Sequence, residues 1–264
     1  MKKRKKEVRA GELVYAVIST PPMPRDPEHV RAAKSKMSTQ ARRALNMKAA
    51  YRRLEMLLAA NFTQRDLHLP LTYRDSDLPH TRAEAVKRVR KFLAQLRKLR
   101  RARGLPFKYV YVTEGKHRGH RLHRHLVINA TGRDLEDIRA LWPYGDQVDI
   151  EPIADREYAD LARYITKEDA EGKPVGAQIW TGSRNLEKPQ ATITWVDENE
   201  TLVPPAGCHI YENETKSNEY AGCSYIKYRI VPPRPRKTRP SRARKQALPP
   251  LYERDALPTE YRGH

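Results

Sequence analysis

The residues best suited to chemistry lie in two short stretches some forty residues apart, His123-Arg124-His125 and Tyr164-Ile165-Thr166-Lys167. His123 and His125 hold alternate positions of an apolar run, Leu122 to Asn129. In a strand both imidazoles therefore leave the same face. The run Phe107 to Thr113 reads as the preceding strand. A turn centred on Arg118-Gly119 would set Glu114 directly opposite His123, and paired residues share a face. Two imidazoles and a carboxylate suit a divalent cation with positions left open for water or substrate oxygens. His117 and His120 in the turn could suggest zinc, but as loop residues they are expected to face solvent or phosphate.

The segment 155–168 has helical periodicity, with Asp155 as its N-cap. At 100° per residue Tyr158 falls inside the apolar stripe with Leu161, Ala162 and Ile165, whereas Tyr164 falls at its border beside Asp160 and Lys167. Tyr158 is assigned to the core. Tyr164 and Lys167, three apart, reach the same spot off the helix. A phenol with a pKa near ~10 is a poor nucleophile at neutral pH. An adjacent ammonium favours the phenolate or holds an anionic substrate in line.

The chain has 52 Lys plus Arg against 32 Asp plus Glu, a formal net charge of +20, so its natural partner is a polyanion. No apolar run is long enough to span a membrane, and the basic N-terminus precedes too short an apolar stretch for a signal peptide. A cytoplasmic location in a bacterial host is expected, with no membrane partner. Cys208 and Cys223 form no CxxC pair and are expected to be reduced thiols. No phosphate-binding GxxxxGK[ST] motif is present, so a helicase motor must come from elsewhere.

The elements that must position these groups suggest an α+β domain, an antiparallel sheet of about five strands with flanking helices. Residues 1–12 are read as a basic disordered tail, 13–190 as the main domain with a helical N-terminal extension, 191–230 as a β-rich extension, and 231–264 as a basic, proline-rich disordered tail. A strand is expected over Leu13 to Ser19 and a helix over Ser38 to Ala60. Leu67 to Tyr73 alternates as a half-buried strand, with Pro70 arguing for an edge or bulge. Thr81 to Arg103 is a helix opened by a Thr81/Glu84 capping box, its apolar stripe opposed by Lys and Arg. A helix over Asp134 to Trp142 and a strand over Gln147 to Ile153 complete the expected order.

Three motifs now stand in sequence: LHLPLTY (67–73), HRH (123–125) and YITK (164–167). Together they resemble the HUH endonuclease superfamily, in particular rolling-circle replication initiators of bacterial plasmids and phages. WPYG (142–145) and WTGSRNLEKP (180–189) add to that resemblance. Arg124 departs from it, standing where the family usually has a bulky apolar residue, and His68 with Pro70 makes the first motif unusual.

The resemblance implies a five-stranded antiparallel sheet with the histidines on its central strands and the tyrosine helix laid against them. It implies Mg²⁺ or Mn²⁺ on Glu114, His123 and His125, and Tyr164 as nucleophile assisted by Lys167. The reaction would nick and rejoin single-stranded DNA through a 5′-phosphotyrosine. Single-stranded or hairpin origin DNA, a host helicase and a polymerase would be the partners. His68, Thr72, Arg184 and Asn185 are expected to contact DNA. Alternatives are a single-strand transposase or mobilisation relaxase of the same class, or a non-catalytic basic nucleic-acid-binding protein.

Overall fold

The computed structural model describes residues 2–20, 40–114, 123–145, 149–153, 158–166, 179–217 and 222–231. The first compact unit, Met1–Val231, holds all of them. It is an α+β structure whose elements follow as β1 (Lys3–Ala10), β2 (Leu13–Ser19), α1 (Gln40–Asn61), β3 (Leu67–Leu71), α2 (Arg82–Ala102), β4 (Tyr109–Glu114), β5 (His123–Ile128), α3 (Asp134–Leu141), β6 (Glu151–Pro152), α4 (Tyr158–Tyr164), β7 (Thr181–Gly182), β8 (Ala191–Val196), β9 (His209–Ser217) and β10 (Gly222–Arg229).

The ten strands form two antiparallel sheets of five, ordered β6-β3-β5-β4-β7 and β8-β1-β2-β10-β9. The first is the sheet anticipated around the histidines. Its β4–β5 register pairs Glu114 with His123 and Val112 with His125, as the expected turn centre requires. Pro70 pairs with His125, while β6 reaches β3 only at Leu67 and His68. Beyond those two residues β3 has no neighbour on that side among the described residues, so the missing proline N–H costs no ladder bond.

Both faces of this sheet are buried, and strand alternation divides the cores cleanly. Leu69, Leu71, Tyr111, Leu126 and Ile128 face α2 and α3, packing on Val89, Phe92, Leu96 and Ile138. Val110, Val112 and Val127 face α1 and α4, packing on Leu54, Leu58, Ala162 and Ile165. The α2 N-terminus is capped by Thr81, whose hydroxyl accepts from Glu84 N at 3.1 Å. Glu84 returns its carboxylate to His80 N at 3.1 Å rather than to the cap residue itself. The motif WPYG braces the end of β3: Trp142 is buried and its Nε1 donates to the Thr72 carbonyl at 2.9 Å. A Cβ on Gly145 would stand 2.8 Å from that same carbonyl oxygen, so glycine lets the two backbones meet.

The second sheet corrects the expected organisation. Residues 3–10 are a strand and not a disordered tail, and 191–230 is not a separate extension. Strand β1 is hydrogen-bonded on both sides, to β2 and to β8, and β10 pairs with both β2 and β9. A boundary at residue 13 or 191 would cut through this ladder. The charge of KRKKEVRA disguises the strand, because only Val8 and Ala10 reach the apolar contact with Leu13 and Met56. Two further expectations shrink: the strand predicted over 147–153 is seen only at Glu151–Pro152, and the last helix is described only over Tyr158–Tyr164. Residues 146–148, the proposed cap Asp155 and the tail 232–264 lie outside the described residues. No described helix is long and apolar enough to cross a membrane.

Candidate active site

The α1/α4 face of the first sheet carries hydrocarbon along most of its length and imidazole at one end. His123 and His125 leave this face together, their rings 5.1 Å apart and nearly perpendicular. His68 joins them from β3. Its ring stacks on that of His125 at 5.2 Å, and His68 Nε2 lies 3.1 Å from His125 Nδ1, so one nitrogen donates a proton to the other. The Tyr164 ring stands over the pair, 5.0 Å from His125 and 6.0 Å from His68, in edge contact with both.

Helix α4 sets this geometry. Ala162 and Ile165 are fully buried against the sheet, which turns Tyr164 to the rim, where it is 49% exposed. Tyr158 points the other way and its hydroxyl donates to the Phe62 carbonyl. The helical wheel thus separates the two tyrosines as expected: one braces the fold and the other reaches the histidines and solvent.

The expected DNA contact at His68 is corrected. The residue is 7% exposed and packed inside the cluster, not presented to a strand of DNA. Burial, reinforced by the neighbouring His125, pushes its pKa down from 6.5 to about 4, so it is a neutral imidazole at physiological pH. A signal was present in the sequence. His68 has the alternation parity of Pro70 on β3, and Pro70 sits opposite His125. Only the β3–β5 pairing converts that parity into proximity.

Arg124 points to the opposite face, which is not open to solvent. It is fully buried beside Tyr73, and burial lowers its pKa despite the favourable influence of the Tyr73 hydroxyl. Thr72 is exposed just past β3. Arg184 and Asn185 sit elsewhere, lining a groove on the α2 side of the sheet, where Asn185 Nδ2 donates to the Phe107 carbonyl at 3.2 Å. Lys167, His117, His120 and the Glu114 side chain lie outside the described residues. Among the described residues no group of three His, Cys, Asp or Glu side chains is spaced to hold a metal ion.

The segment that contains β3, the histidine strand and Tyr164 is also the one that matches a known family. Residues 66–169 match the family model of the replication-associated (Rep) proteins of the ORF2 type. The chain carries a Rep-family domain. Neither a curated protein nor a solved structure matches it. The Rep domain assigns the chain to rolling-circle replication, with a role in its initiation, and its boundaries enclose β3 to α4 and thus every member of the imidazole–tyrosine cluster. The second sheet lies outside the matched segment.

Proposed function

We propose that this Rep protein nicks and rejoins single-stranded origin DNA, with Tyr164 as nucleophile. The observation that carries the reading is the exposed Tyr164 ring held against the buried His68/His125 pair inside the Rep segment. In the proposed reaction the Tyr164 oxygen forms a bond to the scissile phosphorus and the bond from phosphorus to the 3′ oxygen breaks. The phenol loses its proton and the departing 3′ oxygen gains one. The products are a 5′-phosphotyrosine and a free 3′ hydroxyl for a polymerase, and reversal of the step rejoins a strand.

His123 and His125, with Glu114 opposite in the ladder, would hold a divalent cation, Mg²⁺ or Mn²⁺. Supporting that fit, the second ring nitrogen of His125 faces His68, the kind of outer partner that orients a metal-bound imidazole and selects its tautomer. Such an ion supplies charge neutralisation at the non-bridging phosphate oxygens. Lys167, three residues beyond Tyr164, would steady the phosphate or the phenolate. Tyr158 takes no part in the chemistry because its hydroxyl is engaged by the Phe62 carbonyl. The DNA strand would approach from the exposed side of Tyr164, with host helicase and polymerase as the further partners.

The reading is tested by incubating the full chain with labelled single-stranded origin DNA and Mn²⁺ and resolving the products on a denaturing gel. A covalent adduct is expected from the native protein and from Tyr158→Phe. Tyr164→Phe should lower the adduct by at least about 1,000-fold, the scale on which loss of a nucleophile is felt. An adduct that persists in Tyr164→Phe would reject this assignment.

A further inference from the structure

Strand β4 sends Val110 and Val112 to the histidine face and Tyr109 and Tyr111 to the other. On that other side an open groove of about 1090 Å³ runs between α2 and the segment 181–185. Arg90, Arg97, Arg101 and Arg184 line it, and no carboxylate does. We propose that this groove is a second binding site for single-stranded DNA, on the face of the sheet opposite the proposed nicking centre. The identity of the ligand as DNA rests on the Rep reading; the site itself does not depend on Tyr164 chemistry.

The arginines of α2 fall into two sets. Arg88, Arg100 and Arg103 are committed to the fold: Arg88 pairs with Glu84, Arg100 with Asp134 at 2.6 Å, and Arg103 with Asp137 at 2.5 Å. Arg90, Arg97 and Arg101 are exposed, and among the described residues they make no ion pair. Spaced by seven and four, these three form one stripe along the helix, roughly 16 Å long at ~1.5 Å per residue. Ala94 lies in the same stripe and its small side chain leaves the groove open.

An aromatic wall accompanies the charge. The half-buried Tyr109 ring lines the groove, with the Arg97 guanidinium 5.8 Å from its centre and Arg97 Nη2 3.2 Å from its hydroxyl. Guanidinium groups beside an aromatic ring suit a chain of phosphates whose bases are free to stack. A duplex keeps its base faces covered and would leave Tyr109 idle. The groove thus selects for a single strand. Such a strand, passing the β4/β7 edge, would be held on both faces of one sheet.

The test uses the full chain and fluorescently labelled oligo-dT, with binding followed by anisotropy across a salt series. For Arg90→Gln/Arg97→Gln/Arg101→Gln the slope of log K against log salt should flatten by about 2, from ~0.7 per lost phosphate contact on a single strand. Tyr109→Ala should weaken binding about 10-fold with the slope kept, and Tyr109→Phe should restore it. An unchanged slope in the triple variant overturns the proposal. So does a blunt duplex that competes as well as oligo-dT while Tyr109→Ala has no effect. The two readings separate cleanly: a native protein that forms no covalent adduct but shows both groove effects rejects nicking alone, and an adduct-forming protein with an unaltered slope rejects the groove alone.

Discussion

Helix α1 lies between the two sheets and meets them with different chemistry. Toward the Rep sheet it offers Leu54 and Leu58, both fully buried against Val110, Val112 and Val127. Toward the sheet built from the two ends of the described chain it offers Met56 and Ala59, but also Glu55 and Arg52. Glu55 is buried and takes an ion pair from the equally buried Lys227 at 3.1 Å, while Glu212 approaches the same ammonium at 3.0 Å. Arg52 donates to the Tyr15 hydroxyl at 2.7 Å and lies over its ring. Apolar contact holds surfaces together without dictating register. A buried ion pair adds little net stability, yet it penalises any arrangement that strands one partner. The Rep sheet is therefore secured by area, and the second sheet is secured by a match.

The most severe way to break this contrast is to remove one charge. Lys227→Ala leaves Glu55 buried without its ammonium and should cost about 3–5 kcal/mol in urea unfolding. Pairing Lys227→Met with Glu55→Leu should recover most of that loss. A cost below ~1 kcal/mol for the single change would mean that the second sheet, too, is held by area.

Acid should distinguish the sheets next, because the Rep sheet buries a neutral base. His68 has an ordinary unfolded value of 6.5 and a folded value of about 4. Its depressed folded pKa means that stability is complete above about pH 6.5 and is lost as the pH falls toward 4. For the metal-free protein the deficit at pH 5 is about 2 kcal/mol. His68→Gln should flatten the stability profile between pH 7 and pH 5, and an unaltered slope would place the acid sensitivity elsewhere.

The smallest effect is expected at the outer strand of the second sheet. Trp195 is 59% exposed, so Trp195→Ser should move the unfolding midpoint by less than the equivalent of ~0.5 kcal/mol. A larger loss would show that this edge is secured by apolar contact after all, and would weaken the contrast with α1.

Local pattern carried much of the Rep segment. Alternation in β5, the turn centre and the wheel of α4 were enough to pair Glu114 with His123 and to separate Tyr164 from Tyr158. Each depends only on residues near one another in the chain, and both faces of that sheet are covered, so its periodicity is strong. The same reasoning missed β1, where paired backbone is masked by charge, and it misplaced His68 and left Arg124 without an environment. Those three depend on which distant strand or helix arrives alongside.

The sequence by itself therefore determined the face each histidine occupies, the register of its hairpin and the tyrosine that leaves the core, since period and turn geometry are local properties. Tertiary structure alone decided that His68 joins His125, that residues 3–10 pair with 191–196, and that α2 divides its arginines between fold and groove. Such contacts form between segments far apart in the chain, where no local repeat specifies the partner and only the packed arrangement selects it.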